Sequence, residues 1–211
     1  MDGARSAAEL IPAGGGIKGL REAAAGCRAC PLWRSGTQTV FGAGAARAPV
    51  LLVGEQPGDR EDLAGRPFVG PAGRLLDRAL SEAGIEPKQT YRTNVVKHFK
   101  WKPKGKRRIH QKPSKGEVEA CRPWLDAEIE RVRPNVVAVL GATAAGALLG
   151  SSFRVTRSHG ELLEVDFAPV AVATFHPSAI LRAPDEAERR AAFAELVADL
   201  RVVARAASGR G

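Results

Sequence analysis

The sequence predicts a single α/β domain, a three-layer α/β/α sandwich built around a central and mainly parallel sheet of four strands. Short apolar runs, mostly of β-branched residues, alternate with longer segments that have helical periodicity. This alternation is typical of parallel sheets whose two faces are covered by helices. A chain of 211 residues, 44% of them hydrophobic, can bury one sizeable core without dividing into two domains.

Four of the apolar runs are expected to be the strands. Each is short and ends at glycine, at a polar residue or at a His-Pro pair, which favours a buried strand. The runs are residues 49–54, 91–96, 135–140 and 170–175. In a sheet of this kind the functional loops leave the carboxyl ends of the strands, so the residues that follow these runs are the first candidates for a site.

Three segments with helical periodicity are expected to be the main helices, residues 71–83, 114–133 and 186–206. The second begins with a capping box, in which the side chains of Ser114 and Glu117 each bind the backbone N–H group of the other residue. Together with the strands, these helices complete the predicted sandwich.

The net charge of +9 originates in one stretch of the chain. Residues 97–115 contain nine Lys or Arg and no acid, so the charges of the remaining residues cancel. We expect an inserted basic loop at residues 98–115, which stays a solvated and disordered run of charge until it binds a partner. A local positive field of this kind is typical of proteins that bind a polyanion.

The domain is expected to occupy residues 25–207, with a loose N-terminal segment at residues 1–24 and loose residues after 207. The sequence has no run of about 18 apolar residues to span a bilayer, and no basic segment followed by an apolar stretch to direct export. We therefore expect a cytoplasmic protein that makes no membrane contact. Nothing in the sequence argues for an obligate oligomer, so a monomer is expected.

The first predicted strand runs into a loop rich in glycine, proline and acids, residues 54–59. Glycine and proline let the backbone come close to a ligand, and Glu55 and Asp59 place carboxylates at the mouth of a pocket. The alternative is a tight turn with solvated acids. A dinucleotide-binding fingerprint is absent, and residues 141–146 lack the Lys-Ser/Thr pair of a phosphate loop, which argues against a nucleotide cofactor.

Asn94 and His176 stand at the ends of the second and fourth predicted strands. The carboxamide of Asn94 offers an acceptor and two donors, enough to read the edge of a nucleobase, although closing a turn is its alternative role. His176 precedes Pro177, which fixes the exit of the chain. A single histidine here is more often an ordinary hydrogen-bonded side chain, but three strand ends that carry polar residues together favour a pocket.

Three cysteines in a reducing compartment argue against a disulfide framework and leave metal ligation or burial. Cys27 and Cys30 have the C-x-x-C spacing that lets two thiolates share a metal or cluster. Cys121 lies on the apolar stripe of its helix and points inward, where its alternative role is that of a small buried hydrophobe. His98 is the natural fourth ligand. Such a set suits zinc as well as iron and sulfide, and spacing does not choose between them.

Five motifs, in this order and spacing, resemble the uracil-DNA glycosylase superfamily and, within it, the iron-sulfur family 4 enzymes. They are Cys27-x-x-Cys30, Gly54-Glu55-x-Pro57-Gly58 with Glu61-Asp62, Gly65-Arg66-Pro67-Phe68-Val69-Gly70, Thr93-Asn94-Val95-Val96-Lys97 and His176-Pro177-Ser178. The sequence resembles the UdgX branch still more, because that branch shares Gly54-Glu55-Gln56-Pro57-Gly58 and the inserted Lys106-Arg107-Arg108-Ile109-His110. The departure from ordinary family 4 is His98, where those enzymes have a cysteine.

The resemblance implies a uracil-DNA glycosylase-like fold, a [4Fe-4S] cluster, a pocket for a flipped uracil and covalent capture of DNA. It implies that Phe68 stacks on the base, that Asn94 binds its polar edge and that backbone amides near Gln56 complete the recognition. The implied cluster ligands are Cys27, Cys30, His98 and Cys121. The implied substrate-binding residues are Gly54, Gln56, Pro57, Gly58, Phe68, Asn94, Arg107 and Ser178.

The implied catalytic residues are His110, Glu55, His176 and Asp59. In this scheme His176 stabilises the departing uracil anion, His110 bonds to the sugar carbon C1′, and Glu55 takes the proton of the imidazole. The expected partner is uracil-containing DNA, single-stranded in preference, and free uracil is the product.

Two functions of other classes stay open. The first is a turnover glycosylase that releases abasic DNA, with His110 serving as a phosphate contact or general base. The second is an iron-sulfur DNA-binding module without catalysis. Leu181 and Arg182 are candidates for a wedge that fills the gap left by a flipped base, with surface packing as the alternative.

Overall fold

The computed structural model describes residues 6–209 of the chain. The strands are β1 (Ala43–Gly44), β2 (Val50–Gly54), β3 (Thr90–Asn94), β4 (Trp101–Lys104), β5 (Arg107–His110), β6 (Val136–Leu140) and β7 (Ala171–Thr174). The α-helices are α1 (Gly16–Ala24), α2 (Asp59–Ala64), α3 (Pro71–Glu82), α4 (Lys115–Val132), α5 (Ala142–Leu148), α6 (Val155–Ser158), α7 (Pro177–Ile180) and α8 (Glu186–Ser208). Short 3-10 turns lie at Ala7–Leu10, Pro31–Arg34 and Pro87–Gln89.

The predicted α/β fold is confirmed, and the four predicted strands form a parallel sheet in the order β3-β2-β6-β7. Within residues 6–209 the sheet has five strands rather than the four expected, because the two-residue β1 pairs antiparallel with β3. The second strand also ends earlier than predicted. It ends at Asn94, and the N–H groups of Val95 and Val96 donate to the carbonyls of Gly54 and Glu55.

Alternation along the strands divides the core into two layers, one on each face of the sheet. In β2, Leu51 and Val53 pack with α4, whereas Val50 and Leu52 pack on the side of α3 and α8. Both layers are buried by helices, which gives the three-layer sandwich. The capping box that begins α4 is present as predicted, with Ser114 and Glu117 bound to each other's backbone N–H groups.

The segment before residue 25 was expected to be loose, and from residue 6 onward this expectation is wrong. Helix α1 lies against α4, and its Leu20 and Ala24 are fully buried. The carbonyl of Ala24 also accepts a hydrogen bond from the Thr39 hydroxyl, at 3.0 Å. At the other end, α8 continues to Ser208. Residues 1–5 and 210–211 lie outside the described part of the chain.

The basic stretch forms a β-hairpin, so the expectation of a disordered loop is also wrong. Strands β4 and β5 pair antiparallel, with Trp101 opposite His110 and Lys104 opposite Arg107. Side chains of the domain hold the hairpin in place through Gln56 and through an ion pair between Asp59 and Arg108. None of the helices within residues 6–209 is long and apolar enough to cross a membrane.

Candidate active site

Three of the predicted site residues, Glu55, Asn94 and His176, meet at one edge of the sheet, where the parallel strands end. Glu55 follows β2, Asn94 is the last residue of β3, Gly141 follows β6, and His176 comes two residues after β7. Because parallel strands end at a common edge, residues far apart in the sequence come together there.

Gly54 lies at the centre of this edge, and three side chains converge on the space above it. A Cβ atom at residue 54 would overlap Oδ1 of Asn94, and it would lie 2.8 Å from Cζ of Phe68 and 3.5 Å from Nε2 of His176. Only glycine leaves this space open. A flat heterocycle placed there could stack on the aromatic ring and bind the amide and imidazole groups.

Phe68 is held in place by an uncommon backbone. Its φ angle is +57°, a left-handed conformation that residues other than glycine rarely adopt and that is often found at functional sites. Gly73 makes this possible, because a Cβ atom at residue 73 would overlap the Phe68 carbonyl. The Phe68 ring lies 6.3 Å from the His176 ring at an interplanar angle of 27°, so the two rings line the same pocket.

The proton of His176 is directed toward the pocket. Its Nδ1 atom accepts the backbone N–H of Ser178 at 3.1 Å, and the Ser178 hydroxyl lies 2.8 Å from the same nitrogen. The proton of a neutral ring therefore sits on Nε2. Burial lowers the pKa of His176 to about 4, so the side chain is a neutral hydrogen-bond donor at pH 7. Ser178, predicted to bind substrate, contacts His176 here.

Glu55 and His110 are in contact, as the sequence predicts. Oε1 of Glu55 lies 3.0 Å from Nε2 of His110, and Oε2 accepts a hydrogen bond from the Thr143 hydroxyl. Burial alone would raise the pKa of Glu55, but the hydrogen bonds from His110 and Thr143 outweigh it and hold this pKa below its usual value. About half of the His110 side chain, 49%, stays exposed, so the ring can still meet a ligand.

Gln56 fastens the base of the hairpin that carries His110. Its Oε1 atom accepts the N–H of Lys100 at 3.1 Å, and its Nε2 atom donates to the carbonyls of Lys100 and Gln111, at 3.2 and 3.0 Å. The predicted role of Gln56 was substrate binding. The structure directs its side chain to the hairpin, which leaves its backbone amide as the group that can face a base.

Arg108 fastens the hairpin at a second place. Its guanidinium lies 2.5 Å from Oδ1 of Asp59 and 2.7 Å from Oδ2 of Asp62, and it stacks over the rings of Phe99 and Trp101. Asp59, a predicted catalytic residue, therefore forms an ion pair with Arg108.

Arg107, predicted to bind substrate, is exposed on the face of the hairpin opposite to Arg108 and His110. The sequence did not single out Arg108 as the residue that anchors the hairpin. The alternation of side chains along a strand could have identified Arg108, because it lies two residues before His110 and so shares its face.

Thr143 and Gly141 are the other residues that sequence reasoning missed. Both lie where β6 turns into α5, in residues 141–146, which lack the Lys-Ser/Thr pair of a phosphate loop. Gly141 has a φ angle of +86°, and a Cβ atom there would lie 2.8 Å from Cβ of His176. This turn therefore packs against both Glu55 and His176. The signal available in the sequence was its position after a buried strand.

The three cysteines are buried, and they form no disulfide in the described part of the chain. Burial raises the pKa of the Cys121 thiol to about 12. Two N–H groups point at cysteine sulfurs. Nε1 of Trp124 donates to Cys27, and the backbone of Lys97 donates to Cys121, each at 3.3 Å.

His98 is buried beside Thr39. The Thr39 hydroxyl donates to the carbonyl of Ala24, so it accepts from Nε2–H of His98 at 3.0 Å, and Nδ1 keeps its lone pair. Burial lowers the pKa of His98 to about 4, which gives the neutral ring that binds metals. Within residues 6–209 no three His, Cys, Asp or Glu side chains are arranged to hold a single metal ion.

Leu181 directly follows α7 and is 38% exposed, a large apolar side chain close to His176. The exposure fits the wedge role suggested by the sequence.

The size of a cavity does not identify the site, because a groove of about 840 Å³ lies between β3 and α3, with Phe68 among its lining residues.

Comparison with known proteins gives consistent relatives. Residues 41–201 match the family model of the Uracil DNA glycosylase superfamily. Similar proteins include a type-4 uracil-DNA glycosylase of Thermotoga maritima, 40% identical over 157 residues that cover 74% of this chain and 78% of that protein. Another is the type-4 enzyme of Pyrobaculum aerophilum, 38% identical over 80% of this chain and 86% of that protein. The type-4 enzyme of Sulfurisphaera tokodaii is 33% identical over 80% and 77%.

Proposed function

The chain belongs to the uracil-DNA glycosylase superfamily, and from this premise we propose that it excises uracil from DNA and then bonds covalently to the DNA through His110. The contact of 3.0 Å between His110 and Glu55, beside the space above Gly54, is the observation that carries the proposal. This is the UdgX type of reaction, in which the protein retains its product.

Recognition begins when uracil leaves the base stack and enters the pocket. The ring of Phe68 stacks on the base, and the carboxamide of Asn94 binds its polar edge. Gly54 provides the room, because any larger side chain would fill the space. A backbone amide near Gln56 completes the contacts.

Excision breaks the bond between C1′ of the sugar and N1 of uracil, and the electron pair of that bond stays with the base. Negative charge then grows on uracil O2. Nε2–H of His176 is a neutral donor aimed into the pocket, supported by the contacts of Nδ1 with Ser178. One such donor lowers a barrier by roughly 3 kcal/mol.

Capture follows on the other face of the sugar. A ring nitrogen of His110 gives its lone pair to C1′, and the proton on the other ring nitrogen leaves by way of Glu55. The imidazole ends neutral, and a neutral imidazole is a poor leaving group, so the new bond persists. Uracil takes a proton from solvent and departs. Thr143 holds the second oxygen of Glu55 throughout.

A [4Fe-4S] cluster held by Cys27, Cys30, Cys121 and His98 is part of the proposal. Buried free thiols, N–H groups directed at sulfur and a neutral imidazole are the donors that such a cluster uses. A cluster also spreads its ligands over several irons, which fits a set not arranged around a single ion. When bound, it would link the segment of the first two cysteines to α4 and to the start of the hairpin.

DNA, single-stranded in preference, is the proposed partner, and the protein is proposed to act as a monomer. The outer face of the hairpin carries Lys102, Lys104 and Arg107, all exposed. These cations can neutralise phosphates on either side of the flipped nucleotide.

A denaturing gel tests the proposal. The protein and its His110→Ala variant are each incubated with a single-stranded oligonucleotide that contains one uracil, and the samples are heated in detergent. We expect a shifted band with the unaltered protein and none with the variant. Cleavable abasic DNA without a shifted band would identify a turnover glycosylase. Intact uracil would identify a binding module.

A further inference from the structure

A buried ion pair lies beneath the pocket and takes no part in the reaction described above. Nζ of Lys97 lies 2.5 Å from Oε2 of Glu128, and the two side chains are 1% and 0% exposed. Removing two charges from water is unfavourable unless the geometry is good and the remaining hydrogen-bonding groups are satisfied. Apolar side chains could fill the same volume, so packing alone does not require a charged pair here.

All three ammonium protons of Lys97 have a defined acceptor. Besides Glu128, the acceptors are the Thr93 hydroxyl at 2.7 Å and the backbone carbonyl of Asn94 at 2.6 Å. Asn94 is the residue whose carboxamide faces the space above Gly54. The ammonium group therefore fixes the main chain of the residue that reads the base.

The opposite end of Lys97 contacts the thiols. Its backbone N–H donates to Sγ of Cys121 at 3.3 Å, and its carbonyl accepts the N–H of Val40 at 2.8 Å. Cys121 and Glu128 lie two turns apart on the same side of α4 and are both buried. One residue thus contacts the thiol site through its main chain and the backbone of Asn94 through its side chain.

We propose that Lys97 is a positioning residue that couples the buried thiol site to the base-reading carboxamide of Asn94. The inference rests on the proposed function, because it assigns the pocket to uracil. A shift of the Cys121 sulfur is passed to the amide of Lys97, and from its ammonium group to the carbonyl of Asn94. Loss of this link loosens the carboxamide and affects recognition of uracil more than general affinity for DNA.

The test uses a variant that removes both charges, Lys97→Met with Glu128→Gln, so that neither is left unpaired. Iron-loaded protein is titrated with single-stranded DNA that contains either a non-excisable uracil nucleotide or thymine. We expect the preference for uracil DNA to fall at least tenfold, with affinity for thymine DNA unchanged within twofold. The visible absorption of the bound iron reports the coupling directly. It should change on uracil binding in the unaltered protein and not in the variant.

A matched control removes an exposed pair from the same helix, Lys115→Gln with Glu119→Gln, and should keep both the preference and the absorption change. If the double variant does not fold, Thr93→Val removes two hydrogen bonds of the same network, to Lys97 and to Glu128, and should reduce the preference in the same direction.

Two outcomes overturn the inference. The first is a folded variant that prefers uracil DNA as strongly as the unaltered protein. The second is iron absorption that does not respond to uracil DNA in the unaltered protein. If the unaltered protein itself binds uracil and thymine DNA equally, the proposed function fails as well, so the two failures are distinguishable.

Discussion

Thr143 donates a hydrogen bond to the oxygen of Glu55 that His110 does not contact. The carboxylate is thereby held from two sides, by the imidazole of His110 on the hairpin and by a hydroxyl on the first turn of α5. Glu55 faces His110 in a defined orientation before any substrate arrives, and such preorganisation favours reaction.

Substitution of Thr143 by valine should slow adduct formation roughly 10- to 150-fold, because a hydrogen bond to a charged group contributes about 1.5–3 kcal/mol. Losing this bond also raises the pKa of Glu55, so the acidic limb of the rate profile should move to higher pH. Single-turnover rates between pH 4 and 8 measure both effects. Thr143→Ser keeps the hydroxyl and serves as the control. An identical profile for the valine variant would show that the contact is unimportant.

A Glu55→Gln variant should form the adduct more slowly, by roughly 10- to 100-fold, because the amide cannot take the imidazole proton. The band shift on a denaturing gel, followed over time, gives the rate. Exchange of an exposed acid elsewhere, Glu164→Gln, should leave the rate unchanged. Unaltered adduct formation in the Glu55 variant would remove the proposed role of this residue.

Gly54→Ala should weaken binding of uracil DNA roughly 100-fold, since the added methyl group overlaps Asn94 and crowds Phe68. Affinity for thymine DNA should stay the same. Gly146→Ala is the matched control, because a Cβ atom at that residue meets nothing within 4 Å. Fluorescence anisotropy with both oligonucleotides measures the effect, and equal losses for uracil and thymine DNA would contradict the assignment of the pocket.

The two neighbouring arginines of the hairpin should behave differently. Arg108→Gln removes an anchor, so adduct formation at saturating DNA should slow. Arg107→Gln should leave that rate unchanged, weaken affinity and reduce the salt dependence of binding by about one phosphate contact. Titrations at several salt concentrations, combined with gel kinetics, separate the effects. If both variants slow the reaction equally, Arg108 is not the anchor and Arg107 is not only a phosphate contact.

Acid should destabilise the protein partly through His176. Burial lowers the pKa of His176 to about 4 from its ordinary value of 6.5, so between these values the unfolded chain binds a proton that the folded chain does not. Stability therefore falls as the pH decreases through this window. Thermal unfolding at pH 7 and pH 5 should show a smaller loss of Tm for His176→Asn than for the unaltered protein. Equal losses would assign the effect to other groups.

The sheet was predictable because its central strands are apolar on both faces, as in residues 136–140. Pairing of Ala43 and Gly44 with β3 left no pattern, since two small residues carry no periodicity. Helix α1 begins among glycines, which hid Leu20 and Ala24 as its buried pair. In each case the missing information was a contact with a distant part of the chain.

The meeting of Glu55, Asn94 and His176 was predictable, because each of them lies at or just after the end of a strand in a parallel sheet. A role that depends on a partner far along the chain was not predictable. The position of Gln56 in the sequence suggests a substrate contact, but its side chain binds Lys100 and Gln111, which follow it by 44 and 55 residues. Thr143 has no distinguishing neighbour in the sequence, and only folding brings it to Glu55.

Under the proposed function, the pairing of Trp101 with His110 makes capture of DNA depend on the number of residues in the hairpin. Removing one residue at the turn near Gly105 would shift β5 by one position and exchange its two faces, so that Gln111 would take the place of the histidine beside Glu55. We expect such a deletion to lose the heat-resistant band while leaving the rest of the fold in place. An even or an odd number of residues between Trp101 and His110 would then decide whether the protein retains or releases DNA.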